Sequence, residues 1–213
     1  MPTIAEDKDI RIERFTLGPY ATNTYVLVCQ HTKESVLVDA PAEAERILEL
    51  LSGTSPRYIL LTHNHMDHVG ALDELAGRLK VPVCSSLEDV PTNPLPSQMT
   101  LADNDVVSFG DIKLRVLATP GHTPGSLCFL TGKYLLAGDT IFSGGPGRTR
   151  SSSAFSQITR SITEKIFVLP DDTMINPGHG EATVLKKEKE EFAVFQARSH
   201  SPDLCGDVVW LSS

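Results

Sequence analysis

The sequence has no Cys-x-x-Cys pair, no apolar run long enough to cross a bilayer and no surplus of positive charge. Each absence closes a class. The four cysteines, Cys29, Cys84, Cys128 and Cys205, are scattered, which excludes a zinc knuckle and offers no disulfide framework, so they are expected to be reduced. The longest apolar stretches, such as YILL at 58–61, fall far short of the roughly 18 residues that a spanning helix needs. The N-terminal MPTIAEDKDIRIERF is charged and lacks the continuous apolar segment of a signal peptide, which makes a cytoplasmic location the default. With 27 acidic against 19 basic side chains the formal charge is −8, which argues against a nucleic-acid surface, because phosphate binding draws on clustered Lys and Arg. The one dense basic run, LKKEKEE at 185–191, is interleaved with Glu and reads as a solvated helix face. There is no Walker-type Gly-Lys-Ser/Thr loop, so the glycines of FSGGPG serve backbone turns and access. A small-molecule substrate, with neither nucleic acid nor membrane as partner, is what remains.

What is present is ordinary globular composition, 40% apolar and 22% charged over 213 residues, enough for a single domain spanning 1–213. TNTYVLVC (22–29) and SVLVDA (35–40) flank the polar HTKE and predict a hairpin. EAERILELL (43–51), after Pro41, predicts a short helix, and RYILL (57–61) a strand covered on both faces. Val69, Leu72, Leu75, Ala76 and Leu79 follow helical spacing. Hairpins are predicted around Gly110-Asp111 (105–119) and Gly132-Lys133 (126–139), a helix over 154–169, a last strand over 173–178 and a last helix over 184–198. PTNPLPSQ (91–98) reads as a proline-rich loop. Hairpins and helices in this order predict sheet layers faced by helices, not one doubly wound parallel sheet.

Polar residues fall in phase with the strands. His63, His65, Asp67 and His68 follow YILL, His122 follows LAT in TPGHTPGS, Asp139 ends YLLAGD, and His179 follows TMIN in NPGHG. Side chains at strand ends can converge on one edge, where chemistry collects. In an extended segment residues i and i+2 point the same way, so His63 and His65 can hold one cation together. The turn into the following helix can aim Asp67 and His68 at a second point nearby. Five histidines and two aspartates are too many for one tetrahedral site and a natural number for two metals sharing one carboxylate. Imidazole and carboxylate ligands without thiolate suit Zn(II), Fe or Mn(II), zinc being the most usual in a hydrolase. His31 and His200, outside this pattern, read as ordinary surface or core histidines, and Asn23 and Tyr25, alternating in a strand, as structural. Asn64 and Met66, between ligands, read as supporting or packing residues.

HNHMDH, GHTPGS, AGDT and PGHG, in this order, resemble the metallo-β-lactamase superfamily over nearly the whole chain. The resemblance implies an α+β fold, a four-layer αββα sandwich with a dinuclear site at one edge of the two sheets. It implies that His63, His65 and His122 hold the first metal, that Asp67, His68 and His179 hold the second, and that Asp139 bridges them. True β-lactamases commonly carry cysteine where this chain has Asp139, and the flavodiiron branch has Glu in the place of His65. GDTIFSGGPGRT (138–149) looks most like the thioester-hydrolase branch related to hydroxyacylglutathione hydrolase (glyoxalase II). That enzyme carries a helical C-terminal domain that helps grip glutathione, whereas residues 180–213 here have room for one helix and a tail. The activity implied is hydrolysis of a thioester or related activated ester by a hydroxide shared between two divalent metals, with Asp67 doubling as proton acceptor and Arg148 binding a substrate carboxylate. Two alternatives stand beside it: a mononuclear-iron oxidoreductase similar to the persulfide dioxygenases, and a non-catalytic metal- or ligand-binding module. The tail SPDLCGDVVWLSS carries the only tryptophan, Trp210, expected to pack back on the domain or to make a subunit contact.

Overall fold

Strand β3 (Thr22–Cys29) is buried along its whole length, and the sorting of its side chains shows how the molecule is layered. Tyr25, Leu27 and Cys29 enter one apolar cluster while Val26 and Val28 enter another, as the two-residue period of a strand requires. β3 pairs antiparallel with β2 (Ile10–Leu17) and with β4 (Glu34–Val38), the hairpin expected around HTKE. β1 (Thr3–Glu6) extends this sheet on one side. On the other side β5 (Ser55–Leu60), β6 (Val83–Ser86) and β7 (Met99–Leu101) follow in parallel, giving seven strands in chain order. The computed structural model describes residues 3–90 and 98–213, so the expected proline-rich loop lies outside the described residues apart from Gln98.

A second sheet of six strands is built from β8 (Val106–Phe109), β9 (Ile112–Ala118), β10 (Leu127–Thr131), β11 (Tyr134–Gly138), β14 (Met174–Pro177) and β15 (Thr183–Val184). Its two predicted hairpins form as expected, and β14 lies parallel to β11. A two-stranded ribbon, β12 (Ile141–Phe142) and β13 (Gly145–Pro146), leaves its edge. Between the sheets Leu27, Val36, Val38 and Leu60 meet Leu114, Val116, Phe129 and Leu136. Helices α1 (Ala44–Leu51) and α3 (Leu72–Leu79) cover the outer face of the first sheet through Ile47, Leu51, Leu72 and Leu75. α4 (Ser152–Ser161), a π-helical turn (Ile162–Ile166) and α5 (Leu185–Gln196) cover the second through Ile158, Ile162, Phe192 and Phe195. Helix, sheet, sheet, helix is the predicted four-layer sandwich. Among the described residues no helix is long and apolar enough to cross a membrane.

Two helical expectations are corrected. The pattern beginning at Val69 is carried by two elements, a single turn α2 (Met66–Val69) and then α3. The break falls at Ala71, whose φ of −101° and ψ of 7° leave the helical values that Gly70 still keeps; Gly70 itself has no room for a side chain, since a Cβ there would lie 2.5 Å from the Pro41 carbonyl oxygen. Ala40 N donates to His68 O and Ala71 N to Ala40 O, so this backbone is tied to the end of β4. The helix expected over 154–169 loosens into the π turn, where the Thr163 hydroxyl bonds the carbonyls of Thr159 and Arg160 in competition with the helical ladder.

The tail folds back on the domain. Trp210 is fully buried, its ring 5.0 Å from that of Phe192 and 5.2 Å from that of Phe195. Trp210→Ala is expected to destabilise the protein by about 3–5 kcal/mol, measured as a drop in denaturant midpoint. Emission from this sole tryptophan is expected to be blue-shifted in the native state and to move red as the protein unfolds.

Candidate metal centre

Four chain segments meet at one edge of the sandwich. They are the loop from β5 into α2, the β9–β10 loop, the end of β11 and the end of β14, and main-chain hydrogen bonds lock them in register. Leu127 N donates to Thr62 O, Asn23 N to Gly178 O and Gly178 N to Gly138 O, at 2.7 to 2.8 Å. The approach is so close at Gly178 that a Cβ would sit 2.2 Å from Asp139 Oδ1 and 2.7 Å from a carbon of the His68 ring. Asn23 and Tyr25 are structural, as expected: both donate to the carbonyl of Pro177, and Asn23 also to that of Gly180, bracing the loop that carries His179.

All seven anticipated side chains converge. His63 Nε2 and His122 Nε2 lie 3.2 and 2.9 Å from His65 Nδ1, and Asp139 Oδ2 lies 3.5 Å from His122 Nε2. His68 Nε2 lies 3.3 Å from His179 Nε2, which is 3.1 Å from Asp67 Oδ2. Asp139 stands between the two groups, Oδ1 3.4 Å from His68 Nε2 and Oδ2 3.6 Å from His179 Nε2. Separations of this order are those between neighbouring ligands around an ion bonded at about 2.0–2.2 Å. Three overlapping groups could each hold a cation: His63, His65 and His122; Asp67, His68 and His179; and His63, His68 and Asp139, which shares one residue with each of the other two.

Hydrogen bonding behind the rings fixes which nitrogen faces the centre. Nδ1 of His63 lies 3.0 Å from the Thr62 hydroxyl, that of His68 2.8 Å from Asp39 Oδ2, that of His122 2.9 Å from Arg148 O, and that of His179 3.2 Å from Tyr20 O. A ring that donates from Nδ1 presents the lone pair of Nε2 to its other side, which is the tautomer a metal ligand needs. Burial, followed by the neighbouring His68, holds His63 well below the usual imidazole range, so it stays neutral. Burial would also lower His68, but the carboxylates of Asp39 and Asp139 outweigh it and raise this group to about 10. A proton held so tightly between two carboxylates marks a position that a cation can take. Asp139, although its burial raises it, is held below the usual carboxylate range by His68, His63 and His122. Its buried Oδ1 accepts no hydrogen bond of good geometry from the described residues. The donor set therefore fits divalent cations.

Sequence reasoning missed Asp39. Its carboxylate accepts from Thr62 N and Thr62 Oγ1, each at 2.8 Å, as well as facing His68. The signal was there: VLVDA is another apolar strand ending in an acid, in phase with the rest. Met66 corrects the packing expectation, being 72% exposed. His31 pairs with Asp111 and His200 bonds Phe195 O, so both are the ordinary histidines expected. Arg148 lines the cavity over the centre, about 830 Å³, together with Tyr20, Arg150 and Cys205. Its guanidinium is exposed and 3.7 Å from Asp207.

The chain is similar in sequence and fold to known proteins. Hydroxyacylglutathione hydrolase of Photorhabdus laumondii is 37% identical over 164 residues, which cover 76% of this chain and 64% of that protein. Among solved structures, the BLEG-1 B3 metallo-beta-lactamase superposes with a TM-score of 0.77 at 30% identity, covering 84% of this chain and 96% of that one. ETHE1 from Myxococcus xanthus superposes with a TM-score of 0.76 at 28% identity, covering 84% and 81%. The family model for the metallo-beta-lactamase superfamily matches residues 17–179, a span that opens on the last residue of β2 and closes on His179, enclosing every candidate ligand. The chain belongs to the metallo-beta-lactamase superfamily, whose members are mostly metal-dependent hydrolases.

Proposed function

We propose that this protein is a dinuclear metal-dependent hydrolase of a thioester or related activated ester, similar in its chemistry to glyoxalase II. The observation that carries the reading is Asp139, whose Oδ2 lies 3.5 Å from His122 of one triad and 3.6 Å from His179 of the other, while its Oδ1 lies 3.4 Å from His68. His63, His65 and His122 would hold one ion and Asp67, His68 and His179 the other, with Asp139 common to both. Zinc is the proposed metal, since imidazole and carboxylate donors without thiolate suit it and the reaction requires no redox change. Bound there, the ions would supply Lewis acidity and a hydroxide at neutral pH.

The remaining work falls to the chain's own groups. Asp67 lines the cavity, which supports a role for it in accepting the proton of the attacking water. As the water oxygen bonds to the carbonyl carbon the C–S bond breaks, the sulfur leaves with the electron pair, and the proton passes on to it. The exposed guanidinium of Arg148 is placed to bind a carboxylate of the substrate, its contact to exposed Asp207 being too long to compete strongly. The free cysteines, three of the four buried, support a reducing, cytoplasmic setting. A complete set of seven ligands favours this reading over a mononuclear-iron dioxygenase, which would leave His65, Asp67, His68 and His179 partly idle.

Metal quantification beside a panel of acyl-glutathione, other thioester, lactone and β-lactam substrates tests the proposal. Two zinc ions per chain and thioester turnover are expected; about one iron per chain with oxygen uptake on glutathione persulfide would overturn it. Asp139→Ala is expected to lose metal together with activity, and unchanged metal content would count against a dinuclear centre. Asp39→Asn, which removes the charge behind His68, is expected to weaken metal binding about 10- to 100-fold, read by competition with a chelator. Arg148→Ala should raise KM about tenfold with little change in kcat, as for a lost charge-assisted hydrogen bond.

A further inference from the structure

The space over the candidate centre has two lobes, the smaller one the more apolar. The larger, about 830 Å³, presents the exposed guanidinium groups of Arg148 and Arg150. Arg150 forms no ion pair among the described residues, and Arg148 only the long one to Asp207. In a cavity that the carboxylates of Asp67 and Asp139 also line, these two guanidinium groups are the donors open to an anionic group of a ligand. The smaller lobe, about 340 Å³, lies between Phe142, Pro146 and Val209, with Asp207 also on its lining. His122, Asp139, Arg148 and His179 line both lobes, so the two meet over the groups proposed to carry out the reaction.

The apolar wall is firmly built. Trp210 N donates to Gly144 O at 2.7 Å, and Gly144 N donates to the buried carboxylate of Glu188 at 2.9 Å. A Cβ on Gly145 would lie 2.3 Å from Val208 O, so the tail rests directly on the ribbon between β12 and β13. Within this tail Val208 and Trp210 are buried while Val209 keeps 47% of its surface exposed. An aliphatic side chain is thus held open to the cavity by a backbone anchored on both sides of it.

We infer that the two lobes divide the substrate at its scissile bond: an apolar acyl group occupies the lobe between Phe142, Pro146 and Val209, and an anionic thiol carrier lies on Arg148 and Arg150. This rests on the thioester reading above and adds the chemical class of both halves. An apolar cavity of about 150 Å³ holds a benzene ring, so the smaller lobe has room for a medium-length aliphatic or aromatic acyl group. A small hydroxyacyl group would leave most of it unfilled. The carrier's charge can come from carboxylates, as in glutathione, or from phosphates, as in coenzyme A.

The test is hydrolysis by the zinc-loaded protein of acetyl, lactoyl and hexanoyl groups, each on glutathione, on coenzyme A and on neutral N-acetylcysteamine. On each carrier kcat/KM for hexanoyl is expected to exceed that for acetyl and lactoyl at least about tenfold, because each buried methylene adds to the preference. At low salt the anionic carriers should surpass N-acetylcysteamine, an advantage that shrinks as salt is added, and the better of the two identifies carboxylate or phosphate. Val209→Asp should lower the hexanoyl-to-acetyl ratio at least about tenfold. Val209→Trp, which fills the lobe while keeping it apolar, should do the same if the charged variant fails to fold. Calorimetry on the chelator-treated protein gives a readout without turnover, with hexanoyl-coenzyme A expected to bind more tightly than acetyl-coenzyme A. Equal rates for all acyl groups would overturn this inference and leave the thioester reading standing. Turnover of none would overturn both.

Discussion

Seven electron-rich groups are pressed together at one edge of this molecule, five imidazoles and two carboxylates whose donor atoms approach to between 2.9 and 4.0 Å. Lone pairs brought this close repel unless positive charge lies among them, and most of the surrounding architecture can be read as the means of holding them there. Each of four rings is gripped from behind through Nδ1, by a hydroxyl, a carboxylate or a main-chain carbonyl. Asp39 adds a buried negative charge on the far side of His68, so the cluster is polarised toward its centre. Its three hydrogen bonds join the end of β4 to the end of β5 and to α2, which makes a single carboxylate a structural hinge-pin of the first sheet and an electrostatic support of the site.

The sandwich supplies convergence at low conformational cost. Strands are stiff, their ends fall on one edge, and a group placed just beyond a buried strand inherits the strand's precision. Glycines then allow the last approach. At Gly178 any side chain would displace Asp139 and His68, so the third motif and the fourth are in contact through the absence of an atom. The two outer helical layers take no direct part; they bury the reverse faces of the sheets and so keep the edge in register.

Much of this was legible in the residues because it was periodic. Strands β3, β5 and β9 to β11 and the helices stood out by their apolar periodicity, and the seven converging His and Asp residues by following the ends of apolar runs. Less visible were β1 and β2, whose alternation is blurred by charge, including Glu13, which is buried beside Arg11. The short β6, β7, β12, β13 and β15 owe their existence to neighbours rather than to their own pattern. Tertiary contact also hid the break at Ala71, where the main chain bonds back to Ala40, whereas the inward path of the tail was announced by its lone tryptophan. Asp39 was overlooked because a lone acid ending a strand looks like a turn residue until its partners are known.

Two of the four acceptors behind the imidazoles are main-chain carbonyls, those of Arg148 and Tyr20. Both residues line the cavity. Either side chain can therefore be exchanged for another without removing the oxygen that orients its histidine. The parts that hold the histidines in place and the parts that meet a ligand are written in the same residues but in different atoms. Variation at these two positions can reshape the lining of the cavity while the main-chain support of His122 and His179 is kept.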